Sequence, residues 1–184
     1  MNSRFVVTML VGVALSTALA RNANAQLPNG YGASISVEIA RKLADTATAE
    51  GKKNGWNVAV AIVDTAGDLV FFERMDNTQA ASTIVAQEKA RTAARFKRPT
   101  KAFEDALAGG RQAILGLPGV TPLEGGLPLV IEGKIVGAIG VSGATSPQDG
   151  VCAQAAADTL GKQPAMPAPA APATPPAPKP PVKK

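Results

Sequence analysis

The chain has 184 residues, with 19 Lys and Arg against 14 Asp and Glu, no histidine and one cysteine. The absence of histidine excludes Ser-His-Asp and Cys-His nucleophilic machinery, His-ligated zinc and His-ligated haem iron, and the lone Cys152 excludes an intramolecular disulfide. Arg4, Arg21, Lys179, Lys183 and Lys184 stand near the two ends, so residues 26–162 hold 14 basic and 14 acidic side chains and no basic face for nucleic acid is expected.

The chain opens as a secretory signal over residues 1–25. Arg4 supplies the positive start, residues 5–19 the apolar run, and Ala23-Asn24-Ala25 the small-x-small cleavage pattern, giving an expected mature start at Gln26. A membrane anchor needs roughly 20 apolar residues, and this run is shorter and interrupted by Thr8, Gly12, Ser16 and Thr17. A periplasmic or secreted protein without a membrane span in its mature chain is expected.

Next, Ser34 is placed to cap a helix reaching Gly51 or Gly55, with Ile35, Ile39, Leu43 and Ala47 on one stripe. Residues 56–63 predict a strand, Asp64-Thr65-Ala66-Gly67-Asp68 a turn, and residues 69–74 the returning strand. The near-continuous apolar run 58–63 marks the first of these strands as central and covered on both faces. A helix is expected over 78–96, stopped before Pro99, and a shorter one over 100–108, ended by Gly109-Gly110. Residues 111–121 are punctuated by Gly and Pro, with room for a short edge strand.

Two apolar runs, 127–131 and 135–141, flank Glu132-Gly133-Lys134 and predict a second antiparallel hairpin. Gly137 and Gly140 fall inside its second strand, where glycine weakens pairing, so another backbone, a helix or a ligand must approach closely there. Ser146-Pro147-Gln148-Asp149 reads as a capping box with proline at the first helical position, launching a helix to about Leu160. Residues 163–184 are nearly all Pro, Ala and Lys, the composition of a solvated polyproline-rich tail that could contact the cell envelope. Helix, hairpin, helices, hairpin, helix is an α+β pattern, because strands a few residues apart pair antiparallel rather than through βαβ units.

Several motifs in this order are shared with a known family. Asp64-x-x-Gly67-x-Leu69, Arg74-Met75-Asp76, Lys89-Ala90-x-Thr92-Ala93, Gly125-Gly126-x-Pro128 and Gly137-x-Ile139-Gly140-Val141-Ser142-Gly143, with Asp149 following, resemble the GlcG/HbpS family, which includes the carboxy-terminal domain of PduO-type proteins. The resemblance covers nearly all of residues 33–162, within a domain bounded at 26–162. It implies a profilin-like sandwich with a roughly five-stranded antiparallel sheet flanked by helices, and a symmetric homo-oligomer. It also implies a small-molecule ligand: haem or another tetrapyrrole, or a small anionic metabolite. An enzyme or enzyme accessory in small hydroxy-acid or keto-acid catabolism is the alternative. With no histidine in the chain, haem would be bound through an oxygen or sulfur ligand or by burial alone.

The residues offer six candidates for ligand binding. Arg74 can clamp a carboxylate or propionate, and the neighbouring Met75 thioether can ligate iron, although methionine more often fills core gaps. Lys89 gains its candidacy from the family-like run around it. Gly125 and Gly126 offer backbone amides for an anion nest, or else satisfy an unusual backbone conformation at a strand start. Ser142 can offer a hydroxyl near the terminal helix N-terminus. Arg91, Arg95 and Arg98, at i, i+4 and i+7, form a basic helical stripe of the usual solvated kind. Cys152 falls in an alanine-rich helical turn that suits a small buried side chain, and Asp64 and Asp68 are turn formers. No metal site and no catalytic set is read from these residues.

Overall fold

The computed structural model describes residues 30–160. The signal at 1–25 and the tail at 163–184 lie outside the described residues.

Alternation decides the centre of the fold. In β1 (Ala59–Val63) every residue is buried. Val60 and Ile62 face one layer, while Ala59, Ala61 and Val63 face the other, as period-2 side chains must in a strand covered on both sides. β1 pairs with β2 (Leu69–Arg74) on one side and with β4 (Lys134–Ser142) on the other, and β3 (Gly126–Ile131) lies beyond β4. The four strands are antiparallel in the order β2-β1-β4-β3.

Both hairpins follow from turn chemistry. Asp64 Oδ1 accepts the N–H groups of Ala66 and Asp68, each at 2.9 Å, an Asx turn completed by Gly67 at φ +92°. Glu132 and Gly133, with φ +48° and +73°, make the two-residue loop in which both central residues take positive φ.

Helices cover both faces. α1 (Val37–Asn54) and α4 (Ser146–Leu160) pack on one side, where Leu43, Ala47, Val60, Ile62, Ile139, Cys152 and Ala156 form the larger core. α2 (Ser82–Phe96) covers the other through an interface of Ala59, Ala61, Ala86, Ala90, Ala93, Ala94 and Ala138 with Val63. So many small side chains bring the helix backbone down onto the sheet. Gly126 and Gly140 are register partners, and together they form a trough for α2: a Cβ on Gly140 would collide with Ala86 O and lie 2.5 Å from Ala90 N, and one on Gly126 would lie 2.5 Å from Lys89 O. At Gly140 the close neighbour is therefore a helix. At Gly137 it is the backbone of β1, since a Cβ there would collide with Val63 O. α3 (Lys101–Ala108) and a 3-10 turn (Gln112–Gly116) lie beyond α2.

Several boundaries differ from the expected ones. The sheet has four strands among the described residues; the nearest approach to a fifth is a single parallel bridge, Tyr31 to Ile135. The α1 cap is Ser36, whose Oγ accepts the Ile39 N–H, because Ile35 N–H is already bonded to Val136 O and holds Ser34 and Ile35 out of the helix. β1 begins at Ala59, not Trp56. α2 starts at Ser82 because both Thr78 N–H and Thr78 Oγ1 donate to Met75 O in a turn.

Residues 111–121 form no edge strand. Thr92 Oγ1 donates to Gly119 O and accepts the Thr121 N–H, docking the segment on α2. The capping box sits one residue earlier than expected: Gln148 Oε1 accepts the Thr145 N–H, so Thr145 is the cap and Ser146 begins α4. Arg98 falls outside the helical stripe, since Lys97 ends α2 in a left-handed conformation. Arg91 and Arg95 donate to Gly67 O and Ala66 O, fastening the β1–β2 turn to α2.

Candidate ligand-binding site

Register gathers the candidates at one end of the sheet. Ala59 pairs with both Arg74 and Ser142, and Gly126 pairs with Gly140. The end of β2, the end of β4 and the start of β3 therefore share that end, and they bring Arg74, Met75, Ser142, Gly125 and Gly126 to it. Lys89 reaches it from α2.

The structure sorts these residues into three groups. Lys89 is almost completely buried, and its Nζ donates to Asp149 Oδ2 at 2.8 Å and to Val141 O at 3.0 Å. Asp149, also buried, accepts the Ala144 N–H on its other oxygen. Burial drives the Asp149 carboxyl above its ordinary range, an effect that outweighs the lowering by the Lys89 charge and by the backbone donors of Ala144 and Gly143. The ion pair ties α2 to α4 across the sheet end. Gly125, at φ +124°, makes room for it, because a Cβ there would lie 2.9 Å from both Lys89 Nζ and Asp149 Cβ. Gly126 N–H donates to Thr100 Oγ1, so this amide of the expected anion nest is already engaged.

Ser142 is buried with its Oγ 3.2 Å from Ser82 Oγ, joining β4 to the first turn of α2. At the β2 edge, Arg74 is exposed in a cleft of about 350 Å³ with Lys52, Asn57, Glu73, Asp76 and Asn77. Met75 lines the same cleft, but its sulfur accepts the Val58 N–H at 3.5 Å and it packs against the larger core.

A concave surface with apolar walls lies at the β3 edge. A cleft of about 360 Å³ runs between α3, α4 and the start of β3, past Lys101, Glu124, Gly125, Gly126 and Val151. A second, of about 270 Å³, continues past Lys97, Pro128, Val130 and Ala157, and the two share Pro99, Leu127 and Gln154. Together they form a groove with proline and aliphatic walls. Lys97 and Lys101 stand on its rim, and the half-buried Glu124 also lines it. Lys97 Nζ sits 4.1 Å from the centroid of the Tyr31 ring, and Lys101 pairs with Asp105 at 2.7 Å in an exposed ion pair.

A family model described as "Haem degrading protein HbpS-like" matches residues 35–158. The chain belongs to the HbpS-like family. Protein GlcG of Escherichia coli K12 is 42% identical over 108 residues, which is 59% of this chain and 81% of GlcG. The crystal structure of HbpS superposes with a TM-score of 0.66 at 34% identity, covering 71% of this chain and 92% of HbpS. A crystal structure of a PduOC–haem complex superposes with a TM-score of 0.63 at 27% identity, covering 69% of this chain and 95% of that chain.

Membership raises the question of how this HbpS-like chain's own donors suit a haem. The sequence offers no imidazole. Met75 sulfur is engaged by a backbone amide, and Tyr31 Oη donates to Ala94 O at 2.9 Å. Cys152 is buried, its thiol pushed up to about 11 chiefly by burial and secondarily by the Asp149 and Glu50 charges, so it is no thiolate at neutral pH. These donors do not suit axial ligation. The groove offers apolar walls with the Lys97 and Lys101 side chains beside them.

The sequence singled out Asp149 only as part of a helix cap and a family motif, and it missed its pairing with Lys89. Lys97, Pro99 and Lys101 were missed entirely, since short-range pattern does not tell a rim lysine from any other exposed lysine.

Proposed function

We propose that the protein is an exported binder of haem or a related tetrapyrrole, held in the groove beside β3 without protein ligation of the iron. The observation that carries this reading is the groove itself: Pro99, Leu127, Pro128, Val130 and Ala157 present apolar surface, and Lys97 and Lys101 present cations at its rim. Apolar walls with a few placed charges are the usual make-up of a cofactor site. The family description and the haem complex of a structural relative support the ligand class. Lys97 and Lys101 would hold the propionates, and the bound iron would supply any redox chemistry. The signal-like residues 1–25 support export. β2 and β3 are the sheet edges among the described residues, and their backbone groups support a homo-oligomer.

Titrating haemin into the full chain tests this reading. Saturable growth of a Soret band is expected, together with binding of iron-free protoporphyrin within a few fold of haemin, because the iron makes no bond to the protein. Lys97→Gln with Lys101→Gln should weaken both by roughly tenfold or more, as expected for losing charge-assisted contacts. An unperturbed Soret band would overturn the reading, and so would a protein that binds haemin but not protoporphyrin. Stabilisation by small organic acids without any haemin effect would favour an anionic metabolite instead.

A further inference from the structure

A separate cavity of about 310 Å³, sharing no lining residue with the groove, opens between the end of α2, α3 and the 3-10 turn. Its floor is aromatic and aliphatic. Phe103 and Ile114 are each 5% exposed, and the Phe96 and Phe103 rings meet edge to face with centroids 5.4 Å apart. Leu117 forms part of the wall, and the cavity's two charged residues are Arg98 and Arg111.

We propose that this cavity is a binding site for a small organic acid with an aromatic or short aliphatic body, its carboxylate held by Arg98 and Arg111. No carboxylate side chain lines the cavity. Among the described residues neither arginine forms an ion pair. Arg98 is fixed in place: its guanidinium lies over the Phe103 ring at 5.5 Å and its Nε donates to Phe96 O at 3.2 Å. Its terminal nitrogens have no protein acceptor among the described residues.

Two like charges lining one cavity repel each other and concentrate a positive potential there. A carboxylate relieves that repulsion through the bidentate geometry that guanidinium groups favour. The aromatic floor then selects an apolar body over a fully hydrated anion, and at this volume only a small one is enclosed. The groove differs in carrying Glu124 as well as its lysines.

Calorimetric titration of the full chain with benzoate, hexanoate, acetate and benzamide tests the proposal. Benzoate and hexanoate should bind saturably at one site, with acetate and benzamide at least tenfold weaker. Arg111→Gln, a change at an exposed position, should weaken benzoate at least tenfold, as should Arg98→Gln where its melting curve shows a folded protein. Lys42→Gln removes the same charge from the exposed face of α1 and should leave benzoate affinity unchanged. The proposal is overturned if benzoate does not bind, if benzamide binds equally well, or if benzoate binding survives Arg111→Gln. Binding abolished by Lys97→Gln with Lys101→Gln but not by Arg111→Gln would place the acid in the groove and overturn it equally.

Discussion

Lys89 heads the largest fully buried side chains among the described residues, and an ammonium there is tolerated only because Asp149 and Val141 O complete its surroundings. Removing one partner of such a pair leaves an uncompensated buried charge, whereas replacing both with apolar groups is often nearly neutral. Lys89→Met alone should therefore cost about 3–5 kcal/mol in urea unfolding, and Lys89→Met with Asp149→Leu should recover most of it. Asp149 also carries a pH signature. Its folded carboxyl titrates above the ordinary 3.8, so between those two values the folded state holds more protons than the unfolded state. Its contribution to stability is full below 3.8 and is lost as pH rises through the folded value. Unfolding free energies measured from pH 3.5 upward should show this decline in the parent protein and not in Asp149→Asn. Cys152, with its thiol pushed up to about 11 and no exposed surface, should resist a thiol reagent at pH 8 in the native state and react promptly in denaturant.

At the scale of elements, the paired glycines of β3 and β4 set how closely α2 can lie. Gly140→Ala would drive a methyl group into the backbone of Ala86 and Ala90, atoms held by helical hydrogen bonds that cannot swing aside. A loss of about 1–3 kcal/mol, the usual cost of overpacking, is expected by chemical denaturation. Gly116→Ala, with nothing within 4 Å of the added carbon, is the control and should be near neutral. The hairpins were legible in the sequence because their turns are local: Asp64 bonds its own neighbours and Glu132-Gly133 takes two positive φ values. The α1 and α4 starts were displaced by two residues and one because competing bonds decided them, Ile35 to Val136 in one case and Gln148 back to Thr145 in the other. The 111–121 segment was misjudged because its docking partner, Thr92, lies on another helix.

At the scale of the whole molecule, sheet register brought six scattered candidates to one end of the sheet, and packing then separated their roles. Lys89, Gly125 and Gly126 build the junction of α2, α4 and β3, and Ser142 joins β4 to α2. Arg74 and Met75 remain at the far, β2 edge. The groove's lysines are supplied by the end of α2 and the start of α3, a juxtaposition that needs the bend between two helices. If the proposed function holds, haemin and protoporphyrin compete for this groove, and the competition should be insensitive to Arg74→Ala.

The sequence by itself determined the order of helices and strands, the central place of β1, the neutral charge of residues 26–162 and the exclusion of imidazole chemistry, because periodicity, turn propensity and residue inventory are local or additive properties. It also carried the family likeness, because motif spacing survives without coordinates. Only the tertiary structure decided that Lys89 is matched by Asp149, 60 residues away, that a helix lies against Gly140, and that Lys97 and Lys101 share one groove. Those facts depend on which surfaces meet when helices settle on a sheet, and pairing between distant residues leaves no pattern in the segments that take part.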